Sequence, residues 1–116
     1  MLLFKRDHVE PILAGAKTET RRLWTRPRVR EGATHQCRTR MLDKDSTFAI
    51  IRVERVWRER LGDIDDAGAR REGYADRDSY LRAFDSINGE TDRDTFVYVV
   101  RFHLVKRLHV HREEQP

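Results

Sequence analysis

The sequence predicts one domain of the α+β class, because strand-like alternation occurs beside short helical segments. Residues 95–105 alternate with apolar side chains on both faces, which is typical of a central, buried strand. Two further strands are predicted at 34–42 and 48–57, where alternation or β-branched residues prevail. The predicted helices lie at 7–15, 65–72 and 76–88. At 116 residues the chain can enclose a single small core and is too short for two.

The strand at 48–57 contains one predicted irregularity. Its apolar positions change parity between Val53 and Val56. An extra residue in one strand of a pair restores the alternation, so we predict a β-bulge near Glu54 or Arg55.

The helix ends are predicted from capping residues and glycines. Asp7 is expected to cap the first helix and Gly15 to end it. The second helix is expected to end at Gly73. Asp76 is expected to cap the third helix, with Asn88-Gly89 at its end.

The composition argues against a membrane or secreted protein. Mean hydropathy is -0.81, 38% of the residues are charged, and no apolar run approaches the roughly 18 residues of a membrane span. No signal-peptide segment follows Met1. The single cysteine, Cys37, excludes an internal disulfide and is expected to be a buried thiol. We therefore predict a cytoplasmic protein with a single domain over 1–108 and a flexible tail over 109–116.

Basic residues are concentrated in the N-terminal half of the chain. Residues 1–60 carry 15 basic and 8 acidic side chains, whereas residues 61–100 carry 5 and 10. Arginine outnumbers lysine twenty to four, and guanidinium groups pair with phosphate oxygens and stack on bases. A GC-rich genome would raise the arginine content but would not produce this asymmetry. The charge pattern therefore favours a nucleic-acid partner.

Two short motifs resemble those of a known family. Gly-x-Lys-x-x-Thr-x-Arg follows the first helix at 15–22, and Glu-Gly-Tyr at 72–74 leads into a later helix. Together with the strand pair and the terminal strand, they resemble the ASCH domain family over about residues 3–106. The family is related to PUA domains. The resemblance therefore implies a small PUA-like β-barrel with short helices packed on its outside, and an RNA-facing cleft.

The resemblance also implies candidate catalytic residues. Some small bacterial ASCH proteins are amidohydrolases that use a lysine, a threonine and a glutamate to remove an acyl group from the exocyclic amine of cytidine. Lys17, Thr20 and Glu72 fall on these positions. A threonine hydroxyl becomes nucleophilic when a base accepts its proton, and a lysine can be that base if burial or nearby cations lower its pKa. Arg21 and Arg22 could supply such cations, and Glu72 would orient the lysine or protonate the leaving amine.

The first hypothesis for function is binding of RNA or a nucleotide, with amide hydrolysis on N4-acetylcytidine-type nucleosides as the alternative. Trp24 fits a base-stacking platform or a plug at one end of the barrel, and Tyr74 fits a core aromatic or a ligand contact. The candidate nucleic-acid contacts are Arg21, Arg22, Trp24, Arg26, Arg28, Arg30, Arg38, Arg40 and Tyr74.

Two other interpretations stay open for the basic segment and its motif. Lys17, Thr20 and Glu72 could be ordinary structural residues, and a basic surface could equally dock an acidic protein partner. We expect no cofactor, because no phosphate-cradling glycine-rich loop is present. We also expect no metal, because the pair His109-x-His111 lies in the predicted tail. The sequence does not indicate an oligomeric state.

Overall fold

A computed structural model describes residues 1–108 of the chain. The predicted tail at 109–116 lies outside the described residues. The strands are β1 (Leu2–Leu3), β2 (Glu19–Arg22), β3 (Thr34–Arg38), β4 (Thr47–Arg60) and β5 (Phe96–Arg107). The helices are α1 (Val9–Leu13), α2 (Asp66–Arg71) and α3 (Arg77–Asn88). Short 3-10 turns occur at Arg6–His8, Lys44–Ser46 and Leu61–Asp63.

The five strands form one sheet in the order β1-β3-β4-β5-β2. The β1–β3 pair is parallel and the other pairs are antiparallel. The sheet curls into a half-barrel with the short helices packed on it, which confirms the α+β, PUA-like fold. β1 and β2 are the two edges, so the half-barrel has a seam where these strands face each other without pairing.

The long β4–β5 ribbon contains the predicted irregularity. Val53 pairs with Phe102 and Arg55 with Arg101, so Glu54 is the extra residue of a bulge in β4, as predicted. A second irregularity was not predicted. It lies in β5, where Lys106 and Leu104 pair with consecutive β4 residues and Val105 is left over.

The prediction of a single core is wrong, because the structure has two hydrophobic cores. The strand β5 is central and supplies both of them, one from each face. Val100 and Phe102 belong to the first core, inside the half-barrel, with residues of β1, α1, β3 and the first half of β4. Val97 and Val99 belong to the second core, under α2 and α3. Because successive side chains of a strand point to opposite faces, this single strand joins the two cores.

The helix boundaries confirm some predicted caps and correct one. The Asp76 side chain accepts a hydrogen bond from the Ser79 N–H at 2.9 Å and caps α3, as predicted. The prediction that Asp7 caps the first helix is wrong, because Asp7 lies inside the 3-10 turn that precedes α1 and the α1 N-terminus has no side-chain cap. An unpredicted cap on α2 comes from Asp65, which accepts from the Gly68 N–H at 2.7 Å.

The strand predicted at 34–42 is shorter than expected. Strand β3 ends at Arg38, where its pairing with β4 shifts register. Ser46 then holds a turn together, since its hydroxyl bonds the Arg40 carbonyl and the Asp43 carbonyl. Arg40 therefore lies in this turn and not beside Arg38 on a strand face. No helix within residues 1–108 is both long and apolar enough to cross a bilayer.

Candidate functional site

A pocket of about 190 Å³ lies at the seam between the two edge strands. No backbone ladder closes the seam; instead the Arg22 Nη2 donates to the Leu3 carbonyl at 2.8 Å. The Arg22 guanidinium also lies 4.9 Å from the centre of the Phe4 ring. The Arg22 side chain of β2 thus contacts Leu3 of β1 and the next residue, Phe4. The pocket is the space that remains beside this side chain.

Lys17 is at the base of this pocket and is 1% exposed. After α1 the chain turns at Gly15, whose φ of 78° is a left-handed conformation that glycine adopts without strain. The Lys17 Nζ then donates to the Glu72 Oε1 at 2.7 Å, the Glu72 carbonyl at 3.1 Å and the Glu19 carbonyl at 3.0 Å. Three acceptors for three N–H groups fit an ammonium ion. Burial lowers the pKa of Lys17 from its usual value near 10.5, against the opposing effect of the Glu72 carboxylate.

Glu72 links the lysine to a second buried cation. It follows α2 as the C-terminal cap, and Gly73 at φ 95° then takes the chain away in the left-handed conformation. While Oε1 accepts from Lys17, Oε2 accepts from the Arg21 Nη1 at 3.1 Å. One carboxylate that is 3% exposed thus compensates two buried cations.

A second buried carboxylate, Glu19, fixes β2 against its neighbours. It is 0% exposed and accepts from the Arg21 Nη1 at 3.1 Å and the Arg71 Nε at 2.9 Å, and it also pairs with Arg101. Burial alone would raise the pKa of Glu19, but the Arg101 hydrogen bond and the surrounding cations hold it below its usual value. Arg21 further pairs with Glu59 at 3.1 Å. We call Lys17, Glu19, Arg21 and Glu72 the buried charge cluster.

Thr20 brings a hydroxyl to the same pocket. It is 4% exposed, and its Oγ1 accepts from the Arg22 Nε at 2.9 Å. Within residues 1–108, the Lys17 Nζ makes no hydrogen bond with this hydroxyl, because its three contacts go to Glu19 and Glu72. The hydrogen-bond partner of the candidate nucleophile is therefore an arginine and not the lysine.

The mouth of the pocket combines aromatic and apolar side chains. The His8 Nε2 lies 3.1 Å from the Tyr74 hydroxyl, and the two rings meet edge to face. Burial lowers the pKa of His8 to about 4, so its ring is neutral at pH 7. Leu23 and Ile87 line the pocket and are 43% and 48% exposed, which makes part of the rim apolar.

The structure separates the sequence-predicted site residues into two groups. Around the pocket it brings together Lys17, Thr20, Arg21, Arg22, Glu72 and Tyr74. It does not bring Trp24, Arg26, Arg28, Arg30, Arg38 and Arg40 to the pocket.

The second group has its own local contacts. Trp24 packs against the first core and lies with its ring centre 6.4 Å from that of Tyr98. Arg38 contacts Gln36 and Thr47, and Arg40 pairs with Asp43 at 2.7 Å. The exposed arginines at 26, 28 and 30 make no ion pair within residues 1–108.

Sequence reasoning missed His8 and Glu19. His8 precedes α1 by one residue, and no pattern in the sequence distinguishes it from a solvated histidine. Glu19 did have a signal, because an acid inside a basic run and next to a threonine is a candidate for a buried partner of arginine. In the described part of the chain, no three His, Cys, Asp or Glu side chains are grouped closely enough to hold a metal ion.

The fold is similar to that of three solved structures at low sequence identity. An ASCH domain from Lactobacillus crispatus is 16% identical with a TM-score of 0.58, over 83% of this chain and 69% of that chain. A DUF984 protein from Enterococcus faecalis is 17% identical with a TM-score of 0.63, over 85% and 67%. An ASCH protein from Zymomonas mobilis is 13% identical with a TM-score of 0.62, over 94% and 71%.

No protein-family model matches the sequence, and no curated protein matches it significantly. At identities below a fifth, the structural likeness shows the fold alone. It agrees with the fold that the two motifs implied. The chain therefore has the fold of an ASCH domain.

Proposed function

We propose that the seam pocket binds a nucleobase as part of a nucleoside or nucleotide. The observation that carries this proposal is the meeting of Lys17, Thr20 and Glu72, with Arg22 and Tyr74, around one small pocket. These residues combine hydrogen-bond donors, acceptors and an aromatic ring. That combination suits a flat ligand with polar edges.

The charge of the pocket supports an electron-rich ligand. Its lining contains four cations and one carboxylate, but Lys17 and Arg21 are already paired with Glu72, Glu19 and Glu59. Lys5 and Arg22 form no ion pair within residues 1–108 and supply the positive surplus. A positive surplus in a concave site attracts phosphate or carbonyl oxygens, and low-dielectric walls strengthen the attraction. The volume of about 190 Å³ is below the roughly 300–1,000 Å³ of sites for drug-sized ligands, so it suits a single ring system.

Amide hydrolysis is the second candidate, and the contact between Arg22 and Thr20 favours it. A guanidinium at 2.9 Å from the Thr20 Oγ1 would stabilise the alkoxide that attacks an acyl carbon. The Lys17 contacts oppose a role as base, because all three of its N–H groups already have acceptors. To accept the threonine proton, Lys17 would first have to lose a proton and one of these bonds.

Calorimetric titration of the protein with cytidine 5′-monophosphate, cytidine and N4-acetylcytidine tests the binding proposal. Thr20→Val keeps the side-chain shape and removes the hydroxyl, so it should weaken binding by about 2- to 12-fold, the range of one hydrogen bond. Thr18→Val is the matched control, since Thr18 is a neighbour in sequence that does not line the pocket. No measurable binding by the wild-type protein, or equal losses in both variants, would contradict the proposal.

Release of acetate from N4-acetylcytidine tests the second candidate. If Thr20 is the nucleophile, the wild-type protein and Thr18→Val should release acetate, and Thr20→Val should release none. A wild-type protein that binds the nucleoside but releases no acetate would reject hydrolysis and leave binding.

A further inference from the structure

Along residues 57–60 and 96–99 of the β4–β5 ribbon, helices cover one face, and the opposite face carries mostly exposed side chains. Trp57, Val97 and Val99 point into the second core, under α2 and α3. On the opposite face, Val56 and Val100 still belong with the first core. Further toward the end of the ribbon, this face carries Arg58 and Arg60 of β4 with Tyr98 and Phe96 of β5. We call these last four residues the ribbon face.

The ribbon face consists of guanidinium groups lying against aromatic rings. Arg58 pairs across the strands with Tyr98, and Arg60 with Phe96. The Arg58 guanidinium lies 4.4 Å from the centre of the Phe96 ring, and that of Arg60 lies 5.0 Å from it. Phe96 is nonetheless 42% exposed, so the two guanidinium groups leave part of this residue open to a ligand.

The surroundings of the ribbon face are positively charged. Neither Arg58 nor Arg60 pairs with a carboxylate within the described chain. Trp24, at the start of the loop, lies beside Tyr98. At the other end of the loop, the Glu31 carboxylate accepts a hydrogen bond from the Val56 N–H of β4 at 3.1 Å. The exposed arginines at 26, 28 and 30 therefore stand on a loop that is fixed at both ends next to this face.

We propose that the ribbon face binds single-stranded nucleic acid. Unpaired bases stack on Phe96 and Tyr98, and phosphates pair with Arg58, Arg60 and the neighbouring loop arginines. An acidic protein partner would use the guanidinium charges but would gain little from the exposed aromatic side chain beside them. The combination of stacking rings and unpaired cations on one strand ribbon is what single strands require. This site is separate from the pocket and does not depend on its function.

Fluorescence anisotropy with labelled oligonucleotides tests the proposal. The probes are a uridine RNA and a thymidine DNA of about 12 nucleotides, within the roughly 4–16 nucleotides of comparable sites, and a duplex of equal length. Phe96→Ala should weaken single-strand binding by about 5- to 150-fold, the range for one lost base stack, and Phe96→Trp should retain it. Val105→Ala is the control, because Val105 is 48% exposed on the same strand but away from the face.

A second variant tests the charge and does not touch the apolar packing. Arg58→Gln combined with Arg60→Gln should lower the affinity and reduce the log–log salt slope by about 1.4, or 0.7 per lost phosphate contact. Both variants should bind cytidine 5′-monophosphate as the wild type does, since their side chains do not line the pocket. Failure of the nucleotide to bind would thus count against the pocket alone.

Two results would overturn the proposal. One is a folded Phe96→Ala protein and a folded double variant that both bind single strands like the wild type. The other is equal binding of duplex, heparin and single strands, which would indicate a surface for any polyanion. Tighter binding of the RNA would assign the face to RNA, and equal or tighter binding of the DNA would assign it to single strands in general; both support the proposal.

Discussion

The buried charge cluster and the arginine-rich segment at 26–40 show two uses of cations in one chain. In the cluster, Lys17 and Arg21 are 1% and 7% exposed, and each contacts a carboxylate that is also buried. In the segment, Arg40 forms an exposed pair with Asp43, and Arg26, Arg28 and Arg30 are exposed. A count of basic residues in the sequence does not separate the buried cations from the exposed ones. Only burial distinguishes cations that hold the fold from cations that are available to a ligand.

The energetic consequences of the two environments are opposite. Moving a charge out of water is costly, and only close partners and further hydrogen bonds offset the cost. Removing Lys17 therefore leaves buried acceptors without their donor: the Glu72 carboxylate keeps only Arg21, and the Glu19 and Glu72 carbonyls lose the lysine. An exposed ion pair contributes little, because water and salt screen it.

The largest expected effect is the loss of the lysine in the cluster. Lys17→Met should lower the free energy of unfolding by about 3–5 kcal/mol, since the Glu72 carboxylate loses its 2.7 Å partner but stays buried. Urea denaturation followed by circular dichroism measures this. The control Arg40→Met breaks the exposed pair with Asp43 and should cost less than about 1 kcal/mol. Similar losses in the two variants would show that the proposed difference between buried and exposed cations is wrong.

An intermediate effect is expected from pH. The pKa of His8 is about 4 in the folded protein and 6.5 in the unfolded chain. Between these values the unfolded chain binds the extra proton, so stability is full above about pH 6.5 and falls as the pH decreases toward 4. Because the His8 ring is only partly buried, we expect the free energy of unfolding to fall by about 1–2 kcal/mol over this pH range.

His8→Asn isolates this contribution. Two other groups add a loss of stability of the same sign: His35, whose pKa is lowered by burial, and Glu19, whose lowered pKa makes its contribution decline as the pH falls below 4.5. The difference between wild type and variant, measured by urea denaturation at several pH values, removes both of these contributions. If the variant keeps the full pH dependence between 6.5 and 4, His8 is not its source.

The smallest effect on stability is expected in the arginine-rich segment. Arg28→Ala combined with Arg30→Ala should change the free energy of unfolding by less than about 0.5 kcal/mol, because neither guanidinium forms an ion pair in the described structure. Val29 between them is buried and is left unchanged, so the loop stays anchored.

The same double variant should still alter ligand binding. Its log–log salt slope for single-stranded RNA should be lower by about 1.4, measured by anisotropy titrations at several salt concentrations. A marked loss of stability with an unchanged slope would instead make these arginines structural, like those of the cluster.

Much of the fold could be predicted from sequence periodicity. The alternation in β5 predicted a central strand with two buried faces, and the parity change at Val56 predicted the bulge at Glu54. The end of β3 could not be predicted, because the alternation continues past Arg38 while the turn held by Ser46 ends the pairing.

The site was predictable in its parts but not as a whole. Lys17, Thr20 and Glu72 were named from motifs, and they do meet. The pocket that they line lies at the seam between β1 and β2, the two outer strands of the sheet. Sequence periodicity shows which face of a strand is apolar, but it does not show which strands lie at the edges of the sheet. Trp24 illustrates the limit, since its neighbours in sequence are arginines while its neighbours in space are the first core and Tyr98.

The seam has a consequence for how the chain meets other copies of itself. Unpaired strand edges can recruit strands from other molecules, and this is a common start of aggregation. Here β1 is two residues long and β2 is four, and side chains of the same molecule already occupy edge carbonyls. Arg22 bonds the Leu3 carbonyl and Lys17 bonds the Glu19 carbonyl. The cations that shape the pocket therefore also hinder the addition of a foreign strand at either edge.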